Sequence, residues 1–325
     1  MEIALLGDVM LGRGVNQELA NRSLEYCWGD TLTTLRSADA VFANLECAIT
    51  EHMTSWSKTP KVFHFRADPR AAEILKIANI KCVTLANNHI LDFEEEGLFD
   101  TLKHLDKSGI AHAGAGHNIQ EAQAPIVISC QGFKIGFIAY TDNEPPFAAT
   151  ETRPGTNYIQ INTDQSTLAR LAKDIDIVKN NGAEFIILSL HWGPNMVQVP
   201  SKKFQNFAKA AIELGVNLIH GHSAHIFQAV EFYQNGVILY NTGDFIDDYA
   251  VDLDLRNDWS FIFLIELDGR IIKKVRALPV KLHYAFTNLA TKEDAELIYS
   301  RMQQLCRSFG TITEVTNEGL IFRSL

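Results

Sequence analysis

The sequence lacks the features that place a chain in a membrane or hold it together with disulfides. No run of about 18 apolar residues is present, and no basic residue precedes Gly7 and Asp8, which interrupt the first apolar stretch; this argues against a transmembrane helix and a signal peptide. The five cysteines are odd in number and show no C-x-x-C spacing, so they predict neither a disulfide framework nor a zinc ribbon. We therefore expect a cytoplasmic chain that does not insert into a membrane, while association with a membrane surface stays open.

Basic residues are also in the minority. The chain has 29 Lys and Arg against 39 Asp and Glu, a formal net charge of −10 and a pI near 5.6. No overall positive field is available to attract a nucleic acid, so we expect no nucleic-acid partner, although a local basic pocket for an anionic ligand stays open. What the sequence does contain is 46% hydrophobic residues over 325 positions, which is enough to bury a substantial core.

Short apolar runs alternate with longer segments of helical spacing. Continuous apolar runs are typical of strands buried on both faces, and apolar residues three and four apart are typical of amphipathic helices. The predicted strands are 3–8, 40–46, 82–89, 185–191 and 216–222. The predicted helices are 68–79, 93–109, 163–182 and 201–215, with Asp68 and Ser201 as N-caps and Gly109, Gly182 and Gly215 at C-terminal ends.

Three further segments predict antiparallel hairpins. Residues 126–140, 230–243 and 261–280 each hold two strand-like runs around a Gln-Gly, Asn-Gly or Asp-Gly pair. This mixture of α/β units and hairpins favours a mixed α/β fold in which layered sheets are flanked by helices. We assign residues 1–285 to the main domain and residues 286–325 to a helix and a small hairpin appended to it.

Each of the five predicted strands ends in side chains that can bind a metal. Because the carboxyl ends of strands in an open α/β sheet share one edge, we expect these side chains to come together. Carboxylate, amide and imidazole ligands without thiolates suit one or two divalent ions such as Mn²⁺, Zn²⁺ or Fe²⁺, and two ions would support attack on a phosphorus or carbonyl centre. The six metal candidates are Asp8, Glu46, Asn88, His191, His222 and His225.

Six short motifs follow one another along the chain. They are G-D-V-M-L-G-R-G-V (7–15), A-N-L-E (43–46), F-R-A-D-P (65–69), L-A-N-N-H-I-L-D (85–92), L-H-W-G (190–193) and G-H-S-A-H (221–225). In this order they resemble the poly-γ-glutamate capsule-biosynthesis family of CapA-type proteins, which is itself similar to the calcineurin-like metallophosphoesterases. The resemblance covers about residues 3–250 and implies a four-layer αββα sandwich, metallophosphoesterase-like, with a dinuclear metal site.

The resemblance also implies a role for each matched residue. His89 would donate a proton to the leaving group, and Asp92, three residues later, would orient the His89 ring. In the metal centre, Asp8 and His225 would bind the first ion, Glu46 would bridge the two ions, and the second ion would be bound by Asn88, His191 and His222.

The sequence departs from the phosphoesterase pattern at three positions. Met10 stands where those enzymes usually place a histidine, Glu46 replaces an aspartate, and G-H-x-H has become G-H-x-x-H, which shifts His225. Each change weakens the first metal site more than the second. A single ion therefore stays an alternative to two.

Four other residues are candidates for supporting roles. Arg13 and Arg66 would bind an anionic substrate, since a guanidinium matches a carboxylate or phosphate, although structural ion pairs are the alternative for both. Trp192, next to His191 in the sequence, would form a pocket wall or part of the core. Asp244 would orient an imidazole near His222, unless it belongs to a solvated acidic turn.

Three functions stay open at this point. The first is a metal-dependent hydrolase of the metallophosphoesterase type that acts on an anionic or peptide-like substrate, including a γ-glutamyl polymer. The second is a peptide epimerase that uses the same pocket with or without a metal. The third is a non-catalytic accessory protein of capsule polymer synthesis that binds an anionic polymer.

Overall fold

The computed structural model describes all residues from 1 to 325 as strands, helices and connecting loops. The strands are β1 (Glu2–Val9), β2 (Ala40–Leu45), β3 (Ala48–Ile49), β4 (Arg66–Ala67), β5 (Ile80–Thr84), β6 (Ala111–Ala113), β7 (Ala115–Gly116), β8 (Ile126–Cys130), β9 (Phe133–Thr141), β10 (Gly155–Thr156), β11 (Phe185–His191), β12 (Leu218–His222), β13 (Val230–Tyr233), β14 (Gly236–Leu239), β15 (Asp244–Ile246), β16 (Trp259–Asp268), β17 (Ile271–His283), β18 (Phe286–Leu289), β19 (Thr311–Thr316) and β20 (Gly319–Ser324). The helices are α1 (Arg13–Leu19), α2 (Leu32–Ser37), α3 (Ala71–Ile77), α4 (Glu94–Ser108), α5 (Ile119–Ala122), α6 (Gln165–Asn180), α7 (Lys202–Leu214) and α8 (Lys292–Arg307). None of these helices has the length and apolar composition needed to cross a bilayer.

Most of the strands form two sheets. The larger sheet has the order β19-β20-β17-β16-β1-β2-β5-β6, with β15 also paired to β1 and β18 to β17. Its strands β1, β2, β5 and β6 run parallel, whereas β16 runs antiparallel to β1. The smaller sheet has the order β13-β14-β12-β11-β9-β8, with a parallel centre from β9 to β14. The predicted α/β units therefore supply the parallel centre of each sheet.

The two sheets lie face to face, and helices cover their outer faces. Side chains alternate along β1, so that Ile3 and Leu5 belong to the core between the sheets, and Ala4 and Leu6 belong to the core under the outer helices. The outer helices of the larger sheet bury Val15, Leu35, Leu75 and Leu98, and those of the smaller sheet bury Leu171 and Phe207. The predicted four-layer αββα sandwich is confirmed.

Turn and cap signals in the sequence give mixed results. The hairpins around Gln131, Asn235 and Gly269 form as predicted, because β8 pairs with β9, β13 with β14 and β16 with β17, all antiparallel. Ser201 caps α7 by accepting a hydrogen bond from the Phe204 N–H. The prediction for Asp68 is wrong: α3 begins at Ala71, and the Asp68 carboxylate instead binds the Arg66 guanidinium.

The C-terminal segment 286–325 contains the predicted helix and hairpin. Strand β20 pairs with β17, so the hairpin of β19 and β20 extends the larger sheet at its edge. Helix α8 buries Ile298, Met302 and Cys306 in the same core that lies between the sheets. This segment therefore shares both a sheet and a core with residues 1–285.

Candidate metal centre and cleft

The predicted metal candidates meet where the two sheets face each other. Asp8 and Glu46 come from the ends of β1 and β2 in the larger sheet, whereas His191 and His222 end β11 and β12 in the smaller sheet. The expectation of a single sheet edge is therefore wrong in this detail, because two edges from facing sheets form the site together. The loop that follows β12 adds His225.

Asp8 lies between two groups of candidate ligands. Its Oδ1 accepts a hydrogen bond from Asn44 Nδ2 at 2.7 Å and is 3.6 Å from His222 Nδ1 and 3.9 Å from His191 Nδ1. Its Oδ2 accepts from the Ser223 N–H at 3.1 Å and is 3.9 Å from His225 Nδ1. Burial, followed by the neighbouring Asp244, raises the pKa of Asp8 to about 7.

One group contains mainly imidazole nitrogens. The Nδ1 atoms of His191 and His222 are 2.9 Å apart, His191 Nε2 is 2.8 Å from Asn88 Oδ1, and His222 Nε2 is 2.9 Å from Ser189 Oγ. Burial lowers the pKa of both histidines well below the ordinary value of 6.5. Both rings are therefore neutral near pH 7, and neutral imidazole is the form that binds metals.

The other group contains mainly carboxylates. His225 Nδ1 is 2.8 Å from Asp244 Oδ1, and Asp244 is the direct neighbour of Asp8 in the pairing of β15 with β1. Gly7 allows this close approach, since a Cβ at that position would lie 1.7 Å from the Gly243 carbonyl oxygen. Glu46 is fully buried, and neither of its oxygens has a hydrogen-bond partner. Burial, then Asp8, raises the pKa of Glu46 well above its ordinary value.

These residues fit a divalent metal centre. Two sets, Asp8 with His191 and His222, and Asp8 with Glu46, His225 and Asp244, each place one ligand atom per residue within 4.8 Å of the others. Several carboxylates buried together are costly, because only His225 lies among them as a possible counter-charge, and a bound metal ion would lower that cost. The oxygens of Glu46 and Asp244 Oδ2 have no hydrogen-bond partner, and Glu46 Oε1 is 3.9 Å from His191 Nε2, so the donor set and its unsatisfied atoms both suit a cation.

His89 and Asp92 form a dyad beside the metal centre. Asp92 Oδ2 is 2.6 Å from His89 Nδ1 and also accepts the Phe65 N–H at 2.7 Å, while the Phe65 ring stacks on His89 at 3.8 Å between centroids. His89 Nε2 is 3.9 Å from Glu46 Oε1. Burial raises the pKa of Asp92 to about 7 and, with Lys61, lowers the pKa of His89 well below 6.5.

A cleft of about 590 Å³ opens above the dyad and the metal centre. Asn88, His89 and His225 line its inner part, and Arg13 lines it with its guanidinium paired to Asp248 at 3.1 Å. The lining residues also include Pro60, Val62, Phe63, Met196, Tyr249 and Ala250. A volume of this size is typical of a small-molecule or peptide-segment site.

Two predicted substrate residues lie elsewhere. Arg66 donates to the Thr50 carbonyl oxygen and to Asp68, and it does not line the cleft. Trp192 is buried against Phe204 and Phe207 of α7, and its indole N–H donates to the Tyr240 carbonyl oxygen. Arg66 therefore forms a structural ion pair and Trp192 is part of the core, because the polar atoms of both residues already have partners within the fold.

Some residues at the site were not singled out from the sequence. Lys61 has a buried side chain whose Nζ donates to the Asn88 carbonyl oxygen at 2.7 Å and is 3.4 Å from Asp92 Oδ1. Asn44, within the motif A-N-L-E, holds Asp8 and accepts a hydrogen bond from Asn87. Asn44 could have been predicted from the motif that contains it. Lys61 could not, because it lies on a long loop whose sequence has no strand or helix pattern.

His220 shows that adjacency in the sequence does not assign a histidine to the site. It lies two residues before His222 on the same face of β12, and its Nε2 is 2.7 Å from the Leu6 carbonyl oxygen in the facing sheet. Burial lowers the pKa of His220 to about 4. This neutral histidine joins the two sheets by a hydrogen bond.

A family model and individual relatives point to the same protein family. A family model described as bacterial capsule synthesis protein PGA_cap matches residues 2–249. The chain is 28% identical to the capsule biosynthesis protein CapA of Bacillus anthracis over 76% of this chain and 60% of that protein. It is also 28% identical to a probable polyglutamine synthesis accessory protein of Mycobacterium tuberculosis, over 95% of this chain and 92% of that one. The match to the Bacillus anthracis protein therefore spans less than two thirds of its length.

Solved structures are similar in fold at low identity. A hypothetical protein from Thermus thermophilus matches with a TM-score of 0.51 and 11% identity, over 86% of this chain and 99% of that one. The calcineurin-like phosphoesterase YfkN from Bacillus subtilis matches with a TM-score of 0.42 and 13% identity, over 95% of this chain and 97% of that one.

Proposed function

The chain belongs to the bacterial capsule synthesis protein family PGA_cap, and from this premise we propose that it is a metal-dependent hydrolase of the metallophosphoesterase type. Its substrate would be anionic or peptide-like, including a γ-glutamyl polymer, because relatives are named for capsule and PGA biosynthesis. The observation that carries the proposal is the His89–Asp92 dyad, placed between a cleft and a buried cluster of metal ligands.

One or two divalent ions, Mn²⁺, Zn²⁺ or Fe²⁺, would be held by the six predicted ligands together with Asp244. When bound, such ions polarise a phosphoryl or carbonyl oxygen and lower the pKa of water so that hydroxide forms near neutral pH. Asn44 and the Ser223 N–H hold the Asp8 carboxylate in position for this role. The neutral His191 and His222 rings are ready to bind without losing a proton.

The dyad would handle the proton of the leaving group. The pKa of Asp92 is about 7, so near neutral pH a share of the molecules hold a proton on Asp92. His89 can then release its Nε2 proton to a leaving group and take the Asp92 proton at Nδ1, which avoids a positive charge on the ring. Lys61, 3.4 Å from Asp92 Oδ1, favours the carboxylate that forms. Phe65 keeps the imidazole plane fixed by stacking.

Substrate anions would meet two cations at the cleft. Arg13 lies over the rings of Phe63, Phe65 and Tyr249 at 5.4 to 5.9 Å, which fixes the guanidinium at the entrance. Lys61 lies deeper, beside the dyad. The two cations would contact carboxylates or phosphates along an extended substrate.

The test is metal-dependent turnover by the purified full chain. We expect hydrolysis of an aryl phosphate or of γ-glutamyl oligomers that is lost on chelation, restored by Mn²⁺ or Zn²⁺, and strongly reduced in His89→Ala. Full metal occupancy with no turnover of either substrate class would contradict the proposal. Deuterium incorporation from solvent into a peptide without cleavage would instead support an epimerase.

A second candidate is favoured by the same two cations. A relative is named a probable polyglutamine synthesis accessory protein, and an accessory role would use the cleft to hold an anionic polymer without chemistry. Binding of poly-γ-glutamate that is unchanged by chelation and by His89→Ala, but lost in Arg13→Gln, would favour this role over hydrolysis.

A further inference from the structure

The cleft has polar groups at its inner end and apolar side chains at its entrance, and we infer that it takes an amphipathic substrate. Such a substrate carries one anionic group, bound beside the dyad, and one alkyl or aromatic group, bound at the entrance. Lys61 and His89 line the inner part, and Val62 and Phe63 line the outer part. This inference rests on the proposed hydrolase function and narrows its substrate class.

The entrance presents exposed apolar side chains. Val62 is 84% exposed and Phe63 is 58% exposed, although both line the cleft. Further exposed apolar residues in the loops that contribute to the cleft are Val197, Val199, Val251 and Leu253. Single exposed apolar residues are ordinary on a protein surface, but several around one cleft mark a binding site. The apolar part of a ligand would cover them.

One side of the cleft is aromatic from the dyad to the entrance. The Phe65 ring stacks on His89 at 3.8 Å between centroids. The Arg13 guanidinium carbon is 5.4 Å from the Phe65 centroid and 5.6 Å from the Phe63 centroid, so both rings border the same cation. An apolar group joined to an anionic head at the dyad would contact Phe65 first and Phe63 next. Pockets of this kind bind ligands mainly through apolar contacts, while a few polar groups fix the orientation.

The charges of the cleft suit one anionic group rather than a row of them. Arg13 already pairs with Asp248 at 3.1 Å. Lys61 Nζ lies 3.4 Å from an Asp92 oxygen and 3.5 Å from a Glu144 oxygen, and Glu144 also lines the cleft. A substrate with a negative charge on every unit would therefore meet a carboxylate as well as the two cations. An apolar group next to the anion avoids this repulsion.

A membrane surface fits the same entrance less well. Segments that bind membranes combine exposed apolar residues with lysine and arginine, which attract anionic lipids. Here the exposed Val251 and Leu253 alternate with the exposed Asp252 and Asp254. These negative charges favour a ligand that enters the cleft over a lipid surface that covers it.

The experiment measures the affinity of the full-length protein, supplied with Mn²⁺, for methyl-, propyl- and hexylphosphonate by titration calorimetry. The carbon–phosphorus bond of these probes resists hydrolysis, so binding is measured without turnover. We expect Kd to fall about threefold for each added CH₂ that the cleft buries, and a carboxylate at the end of the chain should cancel this gain.

The double substitution Val62→Ser with Phe63→Ser should flatten the series. Both residues are exposed, so the variant should fold. Its affinity for methylphosphonate should change by less than about threefold, because Arg13 keeps its pairing with Asp248. The matched control is Ile271→Ser, at an apolar residue 70% exposed, which should leave the series unchanged. Ile271 follows the turn between β16 and β17, at the opposite end of the larger sheet from Asp8.

Four results would overturn the inference. They are a flat series in the unmodified protein, no binding of any probe, equal binding of the chain that ends in a carboxylate, and loss of binding to phosphatidylcholine vesicles as the only effect of the double substitution. Turnover of an aryl phosphate, measured on the same sample, tests the proposed function separately. A rising series without turnover would support the amphipathic ligand and contradict the hydrolase.

Discussion

The edges of the two sheets contribute different chemistry to the same site. The larger sheet supplies oxygen donors from β1, β2 and β15, namely Asp8, the Asn44 amide, Glu46 and Asp244. The smaller sheet supplies nitrogen donors from β11 and β12, and the loop after β12 adds His225. Neither edge alone holds either of the two candidate ligand sets, so the packing of the sheets against each other brings the candidate centre together.

The two edges also differ in which of their polar atoms have hydrogen-bond partners. On the larger sheet, Asp8 is held by hydrogen bonds while the Glu46 oxygens remain without partners. On the smaller sheet, both ring nitrogens of His191 and His222 contact a partner. The larger sheet therefore carries the oxygens without hydrogen-bond partners, and the smaller sheet carries the two neutral imidazoles of His191 and His222.

The substitution Asp8→Asn tests the comparison most severely, because Asp8 belongs to both ligand groups. We expect metal to be lost from both ligand groups, with metal affinities lower by more than about a hundredfold. Even the substitution of a residue that only hydrogen-bonds to a metal ligand lowers metal affinity about 10–100-fold. Elemental analysis and titration calorimetry measure the loss. Retention of either ion at full occupancy would show that Asp8 does not connect the two edges.

His89→Ala should separate proton transfer from metal binding. We expect kcat to fall by about 10²- to 10⁴-fold while the metal content stays unchanged, because His89 pairs with Asp92 and does not belong to either ligand group. Steady-state kinetics and elemental analysis on the same sample check both parts. A metal-free His89→Ala protein would place His89 among the ligands instead.

Phe42→Ala should loosen the contact between the two sheets. Phe42 is fully buried and stacks on Phe137 of the facing sheet at 5.7 Å between centroids, so its truncation should cost about 3–5 kcal/mol of unfolding free energy. Leu297→Ala, at a residue 55% exposed, is the control and should cost little. Equal effects in denaturant unfolding would mean that Phe42 does not join the layers.

Much of the fold was predictable because it depends on local patterns. Apolar runs gave the central strands within a few residues, and the Gly-containing pairs gave the three hairpins. The sharing of these strands between two facing sheets was not predictable, since pairing partners depend on contacts far apart in the sequence. For the same reason the five strand ends were wrongly predicted to share one edge.

The candidate site was predictable to the extent that its residues terminate strands. Asp8, His191 and His222 converge as expected. Asp244 was expected only to orient an imidazole, because its register opposite Asp8 depends on the pairing of β15 with β1. Lys61 gave no signal, because a lysine on an irregular loop resembles any surface lysine until the fold buries it.

The stability of the metal-free protein should also depend on pH through the buried Asp8 carboxyl. Burial, followed by Asp244, raises the pKa of Asp8 from 3.8 to about 7, so the folded state holds a proton that the unfolded state has released, and stability is lost as pH rises through this range. Asp8→Asn removes this loss. We expect the stability of Asp8→Asn relative to the unmodified chelated protein to increase from about pH 4 to about pH 7 in thermal unfolding. A difference independent of pH would contradict the raised pKa.

The two arginines provide the mildest test, and they start two different elements, Arg13 at the beginning of α1 and Arg66 at the beginning of β4. Arg13→Gln should raise KM about tenfold, which corresponds to the loss of one charged hydrogen bond to substrate. Arg66→Gln should leave KM within about twofold, because Arg66 binds Thr50 and Asp68 outside the cleft. Equal effects on KM would show that the cleft entrance is not where the substrate anion binds.

Anomalous diffraction from crystals of the metal-loaded protein, recorded at the absorption edges of the bound metals, tests the central claim most directly. We expect metal density between the edges of the two sheets, within bonding distance of Asp8 and of ligands from both sheets. Metal peaks bound by residues of one sheet alone, or density away from Asp8, would contradict it.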